Sequence, residues 1–321
     1  MLRRLLSSAS DRYLIAYEDG DLVAALPIFV AYGTLGPVVN SLPYYGSHGA
    51  IIARSEASSK VRQELLAVFS EYCEQLDAIC ATLIESPLDP ARASLDGWKS
   101  DYRDYRIGQM SPLPAGARNA DIEERLLAGF HSKTRNMVRK GLKSGFDLGH
   151  DCSLSTLRRL HTLHAENMKA MGGIAKPWKS FEAIYEEFEP DTDYRIYTAR
   201  VEGEIVSALL VFYFKDTVEY FTPVIDEAYR SQQPLSALIF QAMHDAVAER
   251  ASSLWNWGGT WTSQVGVYQF KSRWGTSDQE YRYHVRLRRD RALIEQMSPE
   301  QLLAMYPFFY TVPFSSLGRS Q

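Results

Sequence analysis

The sequence predicts an α/β (α+β) protein built of two similar domains, each with a sheet flanked by helices. Two observations carry this prediction. Two apolar segments around an acidic Asp-Gly turn, a pattern typical of a β-hairpin, begin at Tyr13, and a second copy of this plan begins at Arg195. Each copy is followed by the same order of elements, namely a strand, an irregular stretch, an amphipathic helix and a further strand.

Length and composition support a folded, two-domain protein. The chain has 321 residues, of which 45% are hydrophobic and 23% are charged. The formal net charge of −4 argues against a DNA-binding protein with a broadly basic surface. Three cysteines form neither a CxxC pair nor an even disulfide framework, so we expect the reducing cytoplasm. Prolines and glycines interrupt the uncharged stretch 22–39, so we expect buried strands there and no integral membrane association.

The two hairpin segments carry the same residue at several aligned positions. They read YLIAYEDGDLVAALPIF and RIYTARVEGEIVSALLVF. Setting Gly203 on Gly20 pairs Ala199 with Ala16, and acidic residues flank the glycine in both copies. We therefore expect duplicated domains.

The later elements of each copy follow from hydrophobic periodicity. In the first copy, a helix is predicted from about residue 58 to 77, followed by the strand ICATLIES. Its expected buried stripe consists of Val61, Leu65, Leu66, Phe69 and Cys73. In the second copy, the strand VEYFTPVI precedes a helix from about Pro234 to Arg250, and the strand SLWNWG follows. Between the copies, one helix is predicted for 122–142 and another for 154–171, the latter with Leu157, Leu160, Leu163 and His164 along one side.

These elements suggest the domain boundaries. We expect an N-terminal domain at residues 1–112 and a C-terminal domain with a helical insertion at 113–290. The tail, residues 291–321, contains the aromatic segment YPFFYTVPF and is expected to pack back on the first domain.

The order of hairpin, strand, irregular turn, helix and strand resembles the GNAT fold of N-acyltransferases, in which a mixed, mostly antiparallel, twisted sheet holds an acyl donor. The duplication, together with the strings SKTRNMVRKGLKSGF, WNWGG and YQFKSRWG, resembles the Fem family of nonribosomal peptidyltransferases. Members of that family attach amino acids to cell-wall precursors through two GNAT-like domains. The resemblance covers most of the chain and is strongest between residues 132 and 285.

The resemblance also implies functional residues. In the family, the phenylalanine-lysine pair of the last string lies at the reaction centre, which points to Phe270 and Lys271. The basic residue before proline in GGIAKP is similar to one that contacts acceptor phosphate, which points to Lys176. An acidic residue that ends a first-domain strand lies near the acceptor in relatives, and Glu85 matches it.

N-acylation gives these residue types a chemical purpose. A cation near the acyl carbonyl stabilises the negative charge that develops on its oxygen, a role that fits Lys271, while Phe270 shields the site from water. Glu85 and His48 are candidates to accept the proton of the attacking amine. The alternatives are a strand lysine that faces solvent, a turn histidine, and an amine that arrives neutral and needs no dedicated base.

Further candidates concern phosphate binding. Asp226 and Arg230 follow a second-copy strand near the expected cleft, where Arg230 and helix N–H groups can hold phosphate. Their alternatives are a turn cap and an exposed ion pair. The segment 132–148 carries five cations, and we expect it to border the interdomain cleft and attract a phosphate-bearing ligand through Arg135 and Arg139. A solvated helix face is the alternative for each single residue.

The donor stays open. CoA-dependent GNAT domains typically carry a glycine-rich pyrophosphate loop, whereas this chain has YRSQQPLS in the second copy. The helical arm of some tRNA-using Fem proteins is absent as well. Neither a metal nor a permanently bound cofactor is expected, because His161, His164 and Glu166 lack HExxH spacing.

Three functions therefore compete. The first is an N-acyltransferase that uses acyl-CoA and acylates the amino group of a nucleotide-linked amino sugar or a cell-envelope precursor. The second is an aminoacyl-tRNA-dependent transferase that adds an amino acid to a UDP-linked muramyl peptide on the way to peptidoglycan. The third is a GNAT-like binding module without catalysis.

Overall fold

The computed structural model of the protein describes residues 1–42, 49–54, 57, 59–89, 95, 97–288 and 291–317. In chain order its helices and strands are α1 (Leu2–Leu5), β1 (Ser10–Glu18), β2 (Asp21–Gly33), β3 (Gly36–Asn40), β4 (Ile52–Ala53), α2 (Ser59–Gln75), β5 (Cys80–Ile84), β6 (Tyr102–Pro112), α3 (Asn119–Gly129), α4 (Ser132–Lys143), β7 (Asp147–His150), α5 (Leu154–Ala170), α6 (Trp178–Glu187), β8 (Tyr194–Val201), β9 (Glu204–Phe214), β10 (Thr217–Ile225), α7 (Pro234–Arg250), β11 (Leu254–Trp261), α8 (Val265–Ser272), β12 (Ser277–Leu287), α9 (Arg291–Glu295) and α10 (Pro299–Met305). Short 3-10 helices cover Glu227–Gln232 and Phe314–Ser316.

The described residues form two compact units. The N-terminal unit contains those of Leu2–Ile107 and of Glu280–Gln321, and the C-terminal unit contains Gly108–Gln279 together with Met1. The chain thus returns to the N-terminal unit after it has built the C-terminal one.

The N-terminal unit contains a mixed sheet in the order β1-β2-β3-β5-β12, with β4 beside β2. Among the described strands of this sheet, β3 and β5 run parallel, and the other pairs are antiparallel. The first hairpin turns through Asp19 and Gly20, whose φ angles are 51° and 89°. Two positive φ angles are typical of the type I′ turn that suits two twisted strands.

Both faces of this sheet are covered by helices and tail. The predicted stripe of α2 is buried against one face. The other face packs against the C-terminal segment, including the buried side chains of Tyr306, Phe309 and Val312. Asn40 fixes this segment, because its side-chain amide donates to Tyr310 O and accepts from Tyr310 N, both at 2.8 Å.

The C-terminal unit repeats the plan of the N-terminal one. Its sheet has the order β11-β10-β9-β8-β7, with β10 and β11 parallel and the rest antiparallel. The second hairpin turns through Glu202 and Gly203 with φ angles of 50° and 86°. Both hairpins also carry an irregularity at matching positions, after Ala16 and after Ala199. The mixed α/β fold that the sequence predicts is confirmed.

Helices cover both faces of the second sheet as well. On one face, α3, α4 and α7 pack against it around Trp255 and Trp257. On the other face lie α5 and α6, and the predicted side of α5 (Leu157, Leu160, Leu163 and His164) is buried. Among the described residues, no helix is both long and apolar enough to cross a membrane.

The single helix predicted for residues 122–142 is wrong, since α3 and α4 are separate helices. Phe130 is extended, with φ −86° and ψ 150°, and its ring packs edge-on against Trp274 at 5.0 Å. His131 then begins α4, because its Nδ1 accepts a hydrogen bond from Lys133 N at 3.2 Å. Burial of one aromatic side chain and a new helix cap together interrupt the helix.

Candidate active site

The candidate catalytic lysine lies on the short helix α8, which directly follows β11. Phe270 and Lys271 form its last turn, so Lys271 is not on a strand that faces solvent. Phe270 is half-buried and packs edge-on against Trp257 and Trp274, with ring centroids 6.1 and 6.2 Å away. These aromatic contacts hold α8 against the core of the C-terminal unit.

The buried ammonium of Lys271 has few partners. Its Nζ donates to Thr260 Oγ1 at 2.9 Å and more weakly to Gly259 O at 3.4 Å. Burial lowers the pKa of Lys271 to about 8, against a smaller opposing effect of the Glu219 carboxylate. An ammonium has three N–H donors, so one N–H of Lys271 has no acceptor among the described residues.

The lysine adjoins a place where two parallel strands separate. β10 and β11 pair only between Thr217–Glu219 and Leu254–Asn256, although both strands continue for several residues. At the separation, Asn256 Nδ2 donates to Glu219 Oε2 at 2.7 Å, and Gly258 adopts a positive φ of 71°. The separated half of β11 carries Gly259 and Thr260, which are the two residues that Lys271 contacts.

The turn before α7 contains the segment YRSQQPLS, where the resemblance to GNAT domains led us to look for a glycine-rich loop. Gln233 adopts a left-handed φ of 66° there, and its side chain bonds to Arg230 O at 3.1 Å and to Ser236 Oγ at 3.1 Å. Pro234 occupies the first helical position and offers no N–H. A glutamine therefore fills the backbone conformation that glycine would adopt most readily.

The basic segment borders this turn. Thr134, Val138 and Gly141 form the buried side of α4. An added Cβ at Gly141 would lie 2.4 Å from Gln233 O, so only glycine lets α4 approach α7 this closely. Gly145 follows the helix with a φ of 75°, the left-handed conformation in which many helices end.

The cations of α4 have different surroundings. Those on its exposed face are Lys133, Arg139, Lys140 and Lys143. Arg135 is half-buried and donates to Phe130 O. Arg135 and Arg139 also line a groove of about 460 Å³ between α3 and α4, opposite Glu123 and Glu124. These carboxylates weaken the positive potential that a polyanion would meet in the groove.

Lys176 lies on the loop between α5 and α6, beside β10. Its Nζ donates to Thr222 Oγ1 at 3.3 Å and lies 4.6 Å from the Phe221 ring centre. Burial lowers the pKa of Lys176 to about 8. Two histidines hold its backbone: His164 Nε2 accepts from Lys176 N at 3.1 Å, and His161 Nε2 lies 3.2 Å from Lys176 O.

The two remaining candidates of the C-terminal unit make local contacts. Asp226 accepts from Ala228 N at 3.0 Å and so caps the 3-10 helix that follows β10. Arg230 forms an exposed ion pair with Glu227 at 2.6 Å. Both contacts match the structural alternatives considered for these residues.

Glu85 belongs to the N-terminal unit and is buried at the end of β5. Its Oε1 lies 2.8 Å from His284 Nε2, and its Oε2 accepts from Arg282 N at 2.8 Å. His284 is fully buried on β12, and its Nδ1 has no partner among the described residues. His48 lies outside the described residues.

Several residues of these sites have no signal in the sequence. Thr260 and His284 matter through their contacts with Lys271 and Glu85, which lie on other parts of the fold. The sequence marks His161 and His164 only as an incomplete metal-binding pattern. In the structure they hold a loop.

Comparison with known proteins supports the fold. The family model for the acetyltransferase (GNAT) domain matches residues 132–272. No match to the sequence of a curated protein was found. Among solved structures, FemX has a TM-score of 0.67 at 15% identity, over 88% of this chain and 89% of FemX.

Two further solved structures share the fold at similarly low sequence identity. L-PGS from Bacillus licheniformis has a TM-score of 0.54 at 14% identity, over 93% of this chain and 89% of that one. A tandem GNAT protein from the clavulanic acid biosynthesis pathway has a TM-score of 0.50 at 12% identity, over 88% and 85% of the two chains. The prediction of a Fem-like GNAT fold is confirmed, and the domain match confirms the transferase class.

Proposed function

We propose that this Fem-like GNAT-fold protein is an N-acyltransferase that transfers an acyl group from acyl-CoA to an amino group. The proposed acceptor is a nucleotide-linked amino sugar or another cell-envelope precursor, which implies a cytoplasmic reaction. The observation that carries the proposal is the buried Lys271, which has one N–H left beside the separating ends of two parallel strands.

Lys271 is proposed to stabilise the transition state. The amine nitrogen attacks the thioester carbonyl carbon, a C–N bond forms, and negative charge collects on the carbonyl oxygen. The third N–H of Lys271 is available for that oxygen, while Thr260 and Gly259 fix the direction of the ammonium. The C–S bond then breaks, and the proton lost by the amine goes to the departing thiolate or to water. Phe270 is proposed to keep water from the thioester.

The donor is proposed to lie between β10 and β11. Beyond Glu219 and Asn256 the two strands no longer pair with each other, and an amide-containing chain such as that of CoA can hydrogen-bond to strand backbone of this kind. The phosphates would then meet the first turn of α7 and the cations of α4. Gln233 and Pro234 replace the glycine-rich loop, so fewer backbone N–H groups serve the phosphates than in typical CoA-dependent domains.

The acceptor phosphate is proposed to bind Lys176. Burial disfavours the ammonium form of Lys176. A phosphate bound beside the lysine would favour the ammonium form again, and the attraction between the two charges would strengthen phosphate binding. Arg230 and the cations Arg135 and Arg139 are weaker candidates, because each already has a protein partner or a nearby carboxylate. Asp226 serves first as a cap, although its carboxylate also lies 3.9 Å from Arg159 Nη2.

The amine is proposed to react in its neutral form. Both oxygens of Glu85 already accept or share hydrogen bonds inside the N-terminal unit, which suits a role in holding His284 better than a role as proton acceptor. His48 stays a candidate base from the sequence alone.

A second candidate is transfer of an amino acid from aminoacyl-tRNA to a UDP-linked muramyl peptide. The fold similarity to FemX and the exposed cations of α4 favour it. Lys271 would act in the same way on an ester instead of a thioester. The two candidates differ in the donor alone at this centre.

A donor assay separates them. Purified protein is incubated with UDP-linked amino sugars and a UDP-linked muramyl pentapeptide, and receives either acetyl-CoA or alanyl-tRNA. We expect an acceptor heavier by one acetyl group with acetyl-CoA alone, detected by mass spectrometry. Product that forms only with alanyl-tRNA would replace the first candidate by the second.

A further inference from the structure

The strand β1 is the outermost strand of the N-terminal sheet. Within the described residues it pairs only with β2. Half of the backbone N–H and C=O groups of such an edge strand point away from the sheet and can pair with another strand. β1 contains no proline, and the extra residue at the irregularity after Ala16 is Val23, which lies on β2.

One face of β1 exposes large apolar side chains. Tyr13, Ile15 and Tyr17 alternate along the strand and are 55%, 47% and 63% exposed. The exposed side chains of Leu22 on β2 and Ile52 on β4 extend the same patch. Leu22 pairs with Tyr17, and Ile52 pairs with Ala25, which in turn pairs with Ile15. Contiguous apolar surface of this kind is typical of an interaction site.

We infer that β1 pairs with β1 of a second copy of this chain, antiparallel and with Ile15 opposite Ile15 on the two-fold axis. This register places Arg12 opposite Glu18 and Tyr13 opposite Tyr17, each twice. Opposite charges and aromatic pairs stabilise adjacent strands. The inference does not depend on the proposed function.

The charge pattern of β1 selects this register. A slip by one residue would set side chains of opposite faces against each other. A shift by two residues in either direction sets Arg12 against Ala16 or Gly20 and Glu18 against Ser10 or Leu14, so the opposite charges no longer meet. Asp11 is already occupied, because Arg3 Nε donates to its carboxylate at 2.7 Å. A two-fold interface uses the same surface on both copies, which a self-complementary strand provides.

Charge exchange tests the register by analytical ultracentrifugation over a wide range of protein concentration. The wild type is expected to dimerise. The single variants Arg12→Glu and Glu18→Arg each set two like-charge pairs opposite each other, so both are expected to shift the dimer to monomer. The double variant R12E/E18R restores opposite charges and is expected to recover the dimer. Circular dichroism verifies that each variant is folded.

A second pair of variants tests the axis. Ile15→Lys places two ammonium groups opposite each other and is expected to weaken the dimer at least tenfold. Ile174→Lys is the matched control, since Ile174 is also exposed but lies on the loop between α5 and α6 of the C-terminal unit, and dimerisation should persist. A wild type that is monomeric throughout, or a double variant that stays monomeric, would overturn the inference.

Discussion

Lys271 carries a charge whose position in the structure is costly. Its ammonium is buried, its two acceptors are neutral oxygens, and no carboxylate of the described residues lies at salt-bridge distance. A buried ion without a paired counter-ion costs free energy, and a lysine whose pKa is lowered in this way beside separating strands is typical of a functional group. The residue-scale account of function rests on this lysine.

Turnover should depend on the protonation of Lys271. Burial lowers the pKa of the lysine to about 8, so the fraction that carries the third N–H proton falls as pH rises through that value. We expect kcat to fall about tenfold per pH unit above pH 8. In Lys271→Arg the guanidinium stays protonated. The alkaline fall should then disappear, even though turnover is lower. An identical alkaline limb in both proteins would assign it to another group.

Neighbours distant in sequence decide what the candidate residues do. The string GGIAKP marks Lys176, but its surroundings come from α5 and β10. The sequence equally marks Glu85, whereas its partner His284 lies 199 residues away. A motif therefore predicts a residue type at a site, and only tertiary packing gives its partners and its pKa.

At the scale of elements, the contact between α4 and α7 depends on Gly141. A glycine inside a helix ordinarily weakens that helix. In the structure its missing side chain makes room for Gln233 O, so the glycine allows the two helices to touch. This approach sets α4 against the first turn of α7.

Replacement of Gly141 by alanine should therefore destabilise the protein. The added methyl group would force α4 and α7 apart, which we expect to lower the free energy of unfolding by about 1–3 kcal/mol. Urea unfolding measures the change. Gly129→Ala is a matched control, since nothing lies within 4 Å of its added Cβ, and its midpoint should stay or rise slightly. Equal midpoints for both variants would contradict this account of the contact.

Elements with strong local signals were predictable. Both hairpins carry Asp-Gly or Glu-Gly turns with the positive φ angles that this pattern favours, and α7 begins and ends where its proline and periodicity predict. The break between α3 and α4 was not predictable, because it follows from burial of Phe130 against Trp274, a residue 144 positions later in the printed sequence. Local patterns do not reveal such competition.

At the scale of the whole molecule, the two units solve one packing problem in different ways. In the C-terminal unit, α5 and α6 cover the sheet face opposite α7. In the N-terminal unit, the C-terminal segment covers the corresponding face opposite α2, with Tyr306 OH bonded to Gly36 O at 2.8 Å. Shared hairpin turns and matching irregularities support the proposal that the units arose by duplication.

The central claim is that a GNAT-fold transferase uses Lys271 in catalysis, and Lys271→Met tests it most directly. Loss of one donor to the developing oxyanion should lower kcat about 10²–10³-fold. Removal of a buried charge should leave the melting temperature unchanged or higher. Lys60→Met, on the exposed side of α2, serves as control and should retain turnover. Loss of turnover without loss of stability is the predicted result. Unchanged turnover in Lys271→Met would contradict the account and favour a non-catalytic binding module.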